Sequence, residues 1–284
     1  AELYTMVNNF DELAYIAKTS QTYFPSDPNT QLWIARSELS LRKSKEALGT
    51  LKALMNTLEA LPEKPYLYVE VSSLASKAAS DPSSGGTAVE ALDFLTRAVN
   101  AFPQSVEALV TRAQFYRQAA DSLGLSNEDR LERARKDMEA ADLLSTDNLH
   151  IRLFQASEWL ELDEPNKAQA VLDKAENAPE TVIYKYFPDI RDWTVNKFLL
   201  TSKIALKNND AQEHIALAEK LLNELTDRNY RVRALPSVIL LYLSAGNPPQ
   251  ARKYLDEYIS TKLAQDEPDN TKLAVTYLQA LVAR

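Results

Sequence analysis

Residues 91–103 read ALDFLTRAVNAFP, and four of them, Ala91, Leu95, Ala98 and Pro103, decide how the chain folds. Steps of four and three keep Ala91, Leu95 and Ala98 on one face of a helix. Two antiparallel helices come close only where small residues sit at the approach and large residues fill the hollows beside it. Alanine, leucine and alanine at these positions therefore predict a helix from about Thr87 to Phe102 that packs against a neighbour. Pro103 ends it, because proline has no N–H to donate and its ring collides with the preceding turn.

The pattern recurs along the chain. Ala47, Leu51 and Leu54 repeat it, as do Ala134, Met138 and Ala141, then Ala168, Leu172 and Ala175, and finally Ala251, Leu255 and Tyr258. Ala134 and Ala168 are 34 residues apart, whereas Ala47 and Ala91 are 44 apart and Ala91 and Ala134 are 43 apart. A second pair of slots, small then aromatic three residues later, appears at Ala113 and Tyr116 and at Ala156 and Trp159. Together these residues resemble the tetratricopeptide repeat family, whose period is 34 residues. Sel1-like, half-a-TPR and pentatricopeptide repeats share part of the pattern. The resemblance implies an all-α fold, a right-handed superhelix (solenoid) of antiparallel helix pairs. It also implies a concave groove, lined by the first helix of each pair, that holds an extended peptide or a partner helix.

With that period as a ruler, residues 1–284 divide into a single array of about six to seven helix pairs, with partial repeats at both ends. Ala1 and Tyr4 occupy the slots that close a first helix, so the chain reads as beginning inside a repeat, as a piece of a longer protein would. Helices are expected at 10–23, 30–41, 45–61, 66–79, 105–121 and 128–144 as well as at 87–102. Asp81 to Gly86 is the one low-complexity patch and reads as a flexible loop. After Pro179 the period breaks, and residues 181–192 (TVIYKYFPDIRD) form an aromatic insertion. Pairing resumes at 193–207 and 211–225, where either Ala211 or His214 could fill the small slot. Pro236 implies a kink or a late start in the next helix, and Gly246 suits the left-handed turn that follows it. Residues 271–284 read as a lone terminal helix.

Composition excludes several function classes. Five glycines in 284 residues, 45% hydrophobic and 25% charged residues describe a helix-rich globular chain. The formal net charge of -8 opposes nucleic-acid binding, which draws its affinity from neutralising phosphates. The densest basic run, Arg130, Arg133, Arg135 and Lys136, is interleaved with Asp129, Glu132 and Asp137 and reads as a solvated, ion-paired helix face. Without cysteine there is no disulfide, thiolate metal site or cysteine nucleophile. No run of about 18 apolar residues offers a membrane span. The compartment stays open between cytoplasm and a bacterial envelope.

His150 and His214 are the only histidines and lie far apart in sequence, which gives no basis for a zinc site or a catalytic triad. No cofactor is expected, and no catalytic constellation stands out. The expected function is a non-enzymatic protein–protein interaction scaffold. The alternative is a regulatory or targeting segment of a larger enzyme or secretion or envelope-assembly protein. Exposed terminal half-repeats would allow self-association. Arg36, Gln114 and Arg117 are the polar candidates for the groove, beside Asn29, Leu32, Val110, Leu153 and Ser157. That mixture does not reproduce the cluster of Lys, Arg and Asn with which some members of the family capture a partner's C-terminal carboxylate. Tyr184, Tyr186, Phe187 and Trp193 are candidate apolar anchors for a partner, or else core that fills the break in the period.

Overall fold

The structure, a computed structural model, describes residues 10–59, 65–263 and 279. Ala1, Tyr4 and nearly all of the expected terminal helix at 271–284 lie outside the described residues. The described chain is helical, with no strand, and no described helix is long and apolar enough to cross a membrane. It divides between Ser145 and Thr146 into two compact units.

Unit 1 contains α1 (Phe10–Tyr23), α2 (Pro28–Ser40), α3 (Ser44–Glu59), α4 (Pro65–Ser80), α5 (Ala88–Ala101), α6 (Val106–Gln118) and α7 (Asn127–Asp142). Each packs on its neighbour in sequence, so α2 with α3, α4 with α5 and α6 with α7 form antiparallel pairs. Ala47, Leu51 and Leu54 of α3, Ala91, Leu95 and Ala98 of α5, and Ala134, Met138 and Ala141 of α7 are all buried. Burying each of the large residues stabilises the fold by about 1.5–3 kcal/mol, and shortening it to alanine would leave a cavity as well. Capping residues start the helices where the sequence turns polar: the Thr87 hydroxyl accepts from the Glu90 amide, Ser105 from Ala108 and Ser126 from Asp129.

Unit 2 contains α8 (Leu149–Glu161), α9 (Pro165–Glu176), α10 (Glu180–Tyr186), α11 (Ile190–Asn208), α12 (Ala211–Glu224), α13 (Arg228–Ser244) and α14 (Pro248–Leu263). Ala156 and Trp159 of α8, Ala168, Leu172 and Ala175 of α9, and Ala251, Leu255 and Tyr258 of α14 are buried. The small slot of α12 is Ala211, buried together with Ala218 seven residues later, while His214 is only partly covered. The aromatic insertion is the seven-residue helix α10 followed by a bend, and α11 starts at Ile190, before Trp193. In this part of the unit α11 makes its most extensive contact with α13, not with its own partner α12.

Four turns between a first helix and its partner share one geometry. Arg42, Asp163, Asn209 and Gly246 all have φ between 59° and 72°. The next amide in each case reaches back five residues: Lys43 to the Glu38 carbonyl, Glu164 to Trp159, Asp210 to Ala205 and Asn247 to Tyr242, at 2.8–2.9 Å. This is the bond pattern that closes a helix on a left-handed residue. Only one of the four is glycine; for arginine and aspartate the left-handed conformation costs about 1–2 kcal/mol, which the paired helices offset.

Three expectations change. Residues 81–86 are an ordered turn, not a flexible loop. Pro82–Ser84 form a 3-10 turn packed on α3, the Ser44 hydroxyl donates to Asp81 at 2.6 Å, and a Cβ on Gly86 would lie 2.7 Å from the backbone of Ala79. Pro236 lies inside α13, which starts eight residues earlier, so there is no late start; its missing N–H leaves the Val232 carbonyl without its usual helical donor. Arg130 departs from the solvated run: it is buried, and its guanidinium donates to the carbonyls of Tyr116 and Arg117 and to Asn127, tying α7 to the end of α6. Lys136 does form the expected ion pair, with Glu132 one turn away.

Candidate interaction surface

Within unit 1 the first helices α2, α4 and α6 approach one another in succession, whereas the second helices α3, α5 and α7 make no comparable approach. The layer of first helices therefore lies on the inside of the unit's bend, the side on which a repeat of this kind presents its binding surface. In unit 2, α8, α11 and α13 stand in the same relation. Side chains on these two inner layers are the candidates for contact with a partner.

In unit 1 the inner layer carries a short row of charges. Arg36 of α2 pairs with Glu70 of α4, and Glu70 in turn raises the pKa of Glu107 on α6, where burial is the larger cause. No hydrogen bond or ion pair to Glu107 is found among the described residues. Glu107 helps to line an open hollow of about 590 Å³ bounded by Tyr66, Val69, Phe102, Pro103 and Gln104. Tyr66 is 65% exposed there. Phe102 is held by an edge-on contact with Tyr68, ring centroids 5.7 Å apart. Tyr68 donates to Glu59, which also binds Arg97.

Gln114 and Arg117 lie further along α6, half-buried, and Arg36 is held by its ion pair. Arg36 thus lies on α2 with Glu70 as its partner, while Gln114 and Arg117 stand three residues apart on α6. Leu32 and Val110 are core residues. Deeper in unit 1, Arg112 forms two hydrogen bonds with Asp137, at 2.6 and 2.8 Å, and Asp137 is 6% exposed. Burial would lower the Arg112 pKa, but the carboxylate outweighs it and the net shift is upward.

In unit 2 the structure brings three of the four aromatic candidates together. Phe187 and Trp193 are buried, their ring centroids 5.4 Å apart, and His150 lies 4.4 Å from Phe187 on the other side. Tyr186 meets His150 edge-on, and Lys185 lies over the Tyr186 ring while reaching Asp147. Tyr184 is 52% exposed and stands apart from that stack. Beside it runs a polar network across α11 and α13. Asp189 accepts from Arg191 and from the Tyr230 hydroxyl, and Asp192 accepts from Arg233 and from Tyr230. Arg191 also reaches Asp227, and both guanidiniums lie over the Tyr230 ring. The bonds from Arg191 and Tyr230 hold the Asp189 carboxyl well below its usual range. The bond to Asp189, then burial, push the Tyr230 hydroxyl up to about 12.

Glu107, Tyr66, Arg191, Tyr230 and Arg233 do not stand out in the sequence. Only their spacing on first helices signals an inner-face position, and no pairing can be read from residues that lie 34 to 41 apart.

No protein-family model matches the chain, and no curated protein matches it. Among solved structures, a tetratricopeptide repeat protein from Parabacteroides merdae is similar at 16% identity over 98% of this chain and 100% of that one, with a TM-score of 0.50. The human IFIT1 dimer with m7Gppp-AAAA is similar at 17% identity over 88% of this chain and 58% of that one, TM-score 0.42. The APC/C hetero-tetramer Cut9-Hcn1 is similar at 15% identity over 97% and 53%, TM-score 0.36. The first likeness, with the paired helices and their buried alanine slots, makes this a tetratricopeptide-type helical-repeat fold.

Proposed function

We propose that this chain is a non-enzymatic protein-interaction scaffold that binds an extended peptide or a partner helix along the inner, first-helix layer of unit 1. The observation that carries the reading is the open hollow at Tyr66, Phe102 and Glu107. In a fold whose recurrent apolar slots are spent on helix packing, it offers apolar surface between the first turns of α4 and α6 and the turn at 102–104 that no described side chain fills, with an exposed aromatic at its edge. In unit 2, by contrast, Asp189, Arg191, Asp192, Tyr230 and Arg233 bind one another. Under the same reading Tyr184 and Tyr186 make a secondary contact in unit 2, supported from beneath by Phe187 and Trp193.

Selection of a phage-displayed peptide library on the purified chain tests this, with hydrogen exchange to map the selected peptides. Protection of α4 and α6 around Tyr66 and Glu107 is expected. Protection confined to the outer helices α3, α5 and α7, or selection of no peptide at all, would overturn the reading. Replacing Tyr184, the exposed one, by alanine should weaken binding without changing the melting temperature, and adding the same change at Tyr186 should weaken it further at a small cost in melting temperature; a lowered melting temperature with unchanged binding would make them structural.

A further inference from the structure

The geometry points to a basic side chain, lysine or arginine, as the group that the unit 1 hollow takes from a bound protein segment. The inference rests on the scaffold reading above and adds the chemistry of the partner.

Along the inner layer the charges run Arg36, Glu70, Glu107: one cation and two carboxylates on three successive first helices. Arg36 is committed to Glu70. The nearby Arg97 binds Glu59, and Lys52 binds Glu90. Glu107 thus lies at the wall of a cavity with no cation against it among the described residues. Its carboxylate is held in the first turn of α6, where the helix dipole favours an anion, while Ser105 already caps the Ala108 amide. The dipole accounts for a charge being tolerated here; it does not account for the apolar walls opposite it.

Those walls select the shape of the ligand. Tyr66, Val69, Phe102 and Pro103 offer apolar surface to an aliphatic stem, and two aromatic rings favour a cation near their faces. A lysine or arginine satisfies both requirements at once, with methylenes on the walls and its charged head at Glu107. A carboxylate ligand would meet Glu107 and Glu70 as like charges. An uncharged apolar side chain would fill the hollow but leave Glu107 desolvated and unpaired, which is costly. The chain's formal charge of -8 attracts basic segments from a distance as well.

The test is a titration of the isotope-labelled chain, followed by amide chemical shifts, with three acetylated and amidated pentapeptides: Gly-Gly-Lys-Gly-Gly and its arginine and norleucine counterparts. Spermidine is run as a fourth ligand. Lysine and arginine peptides are expected to shift Val69, Phe102 and Gln104 and to bind about tenfold more tightly than the norleucine peptide. E107Q keeps the shape of the side chain and should remove that preference. E128Q changes net charge equally at an exposed site and should leave affinity within about twofold. Equal binding of the norleucine peptide, an unchanged preference in E107Q, or shifts confined to other surfaces would overturn the inference. So would spermidine binding at this site while no peptide does. If library peptides protect α4 and α6 equally in wild type and E107Q, this inference fails while the scaffold reading stands. If the lysine peptide shifts these residues but no selected peptide protects that layer, the hollow is a cation site and the scaffold reading fails.

Discussion

On the inner layer of unit 1, Arg36 pairs with Glu70, while Glu107 has no ion pair among the described residues and feels Glu70 as a like charge. On the inner layer of unit 2, Asp189, Asp192 and Asp227 meet Arg191, Arg233 and the hydroxyl of Tyr230, and every charged head in that group has a partner. The helices beneath are built from the same alanine and leucine slots, so the difference lies entirely in what the first helices display. A closed network fixes the helices that carry it and asks nothing of a ligand. An open one leaves a partly desolvated charge that no described side chain pairs with. The same scaffold therefore displays a closed set of charges in one unit and, among the described residues, an unmatched one in the other.

Four substitutions test that contrast. The largest effect is expected from R112M, which strands the buried Asp137 carboxylate and should cost about 3 kcal/mol in urea unfolding, with R112M/D137L recovering most of the loss. If R112M costs less than about 1 kcal/mol, the buried pair is not what holds α6 to α7. Y230F removes one hydroxyl that serves two partly exposed carboxylates, and about 0.5–1 kcal/mol is expected from the same measurement. No loss would mean that Asp189 and Asp192 are held by the arginines alone.

The smallest effect and the most discriminating is that of E107Q. Burial, then Glu70, raises the Glu107 pKa above its usual 4.5, so the folded state takes up a proton more readily than the unfolded chain. Stability from this group is fully present below pH 4.5 and is lost as pH rises through the folded value. E107Q should therefore melt slightly above wild type at neutral pH, by a few degrees at most, and the gap should close near pH 4.5. Asp189 behaves in the opposite sense. Its lowered pKa stabilises the fold above its usual 3.8, and that contribution is lost only as pH falls through the depressed folded value. D189N should lower the melting temperature at neutral pH and still lower it at pH 4.5. If both variants respond to pH alike, the contrast between the open and closed layers is wrong.

The packing was legible from sequence because it is a periodic property. Ala91, Leu95 and Ala98 sit at helical steps, helix contact demands small and large residues there, and each recurrence found by spacing is buried. Proline and capping residues placed most helix ends within a few residues for the same local reason. The left-handed turns were legible only at Gly246. At Arg42, Asp163 and Asn209 the same conformation is imposed by paired helices, and a residue that merely tolerates it carries no mark. Ser44 and Gly86 ordered the turn at 81–86 through contacts that local composition cannot register. Arg130 left the solvated helix face because the end of α6 offered two carbonyls to it.

By itself the sequence determined an all-helical repeat of small and large slots, the break in period after Pro179, and the surplus of negative charge. Tertiary structure alone decided which charges meet. Arg36 and Glu70 are 34 residues apart, Asp192 and Arg233 are 41 apart, and Glu107 has no ion pair among the described residues. The reason is physical. Helix packing follows from regular spacing along one chain segment, whereas an ion pair, or the want of one, depends on distances across helices that exist only after the repeat has folded.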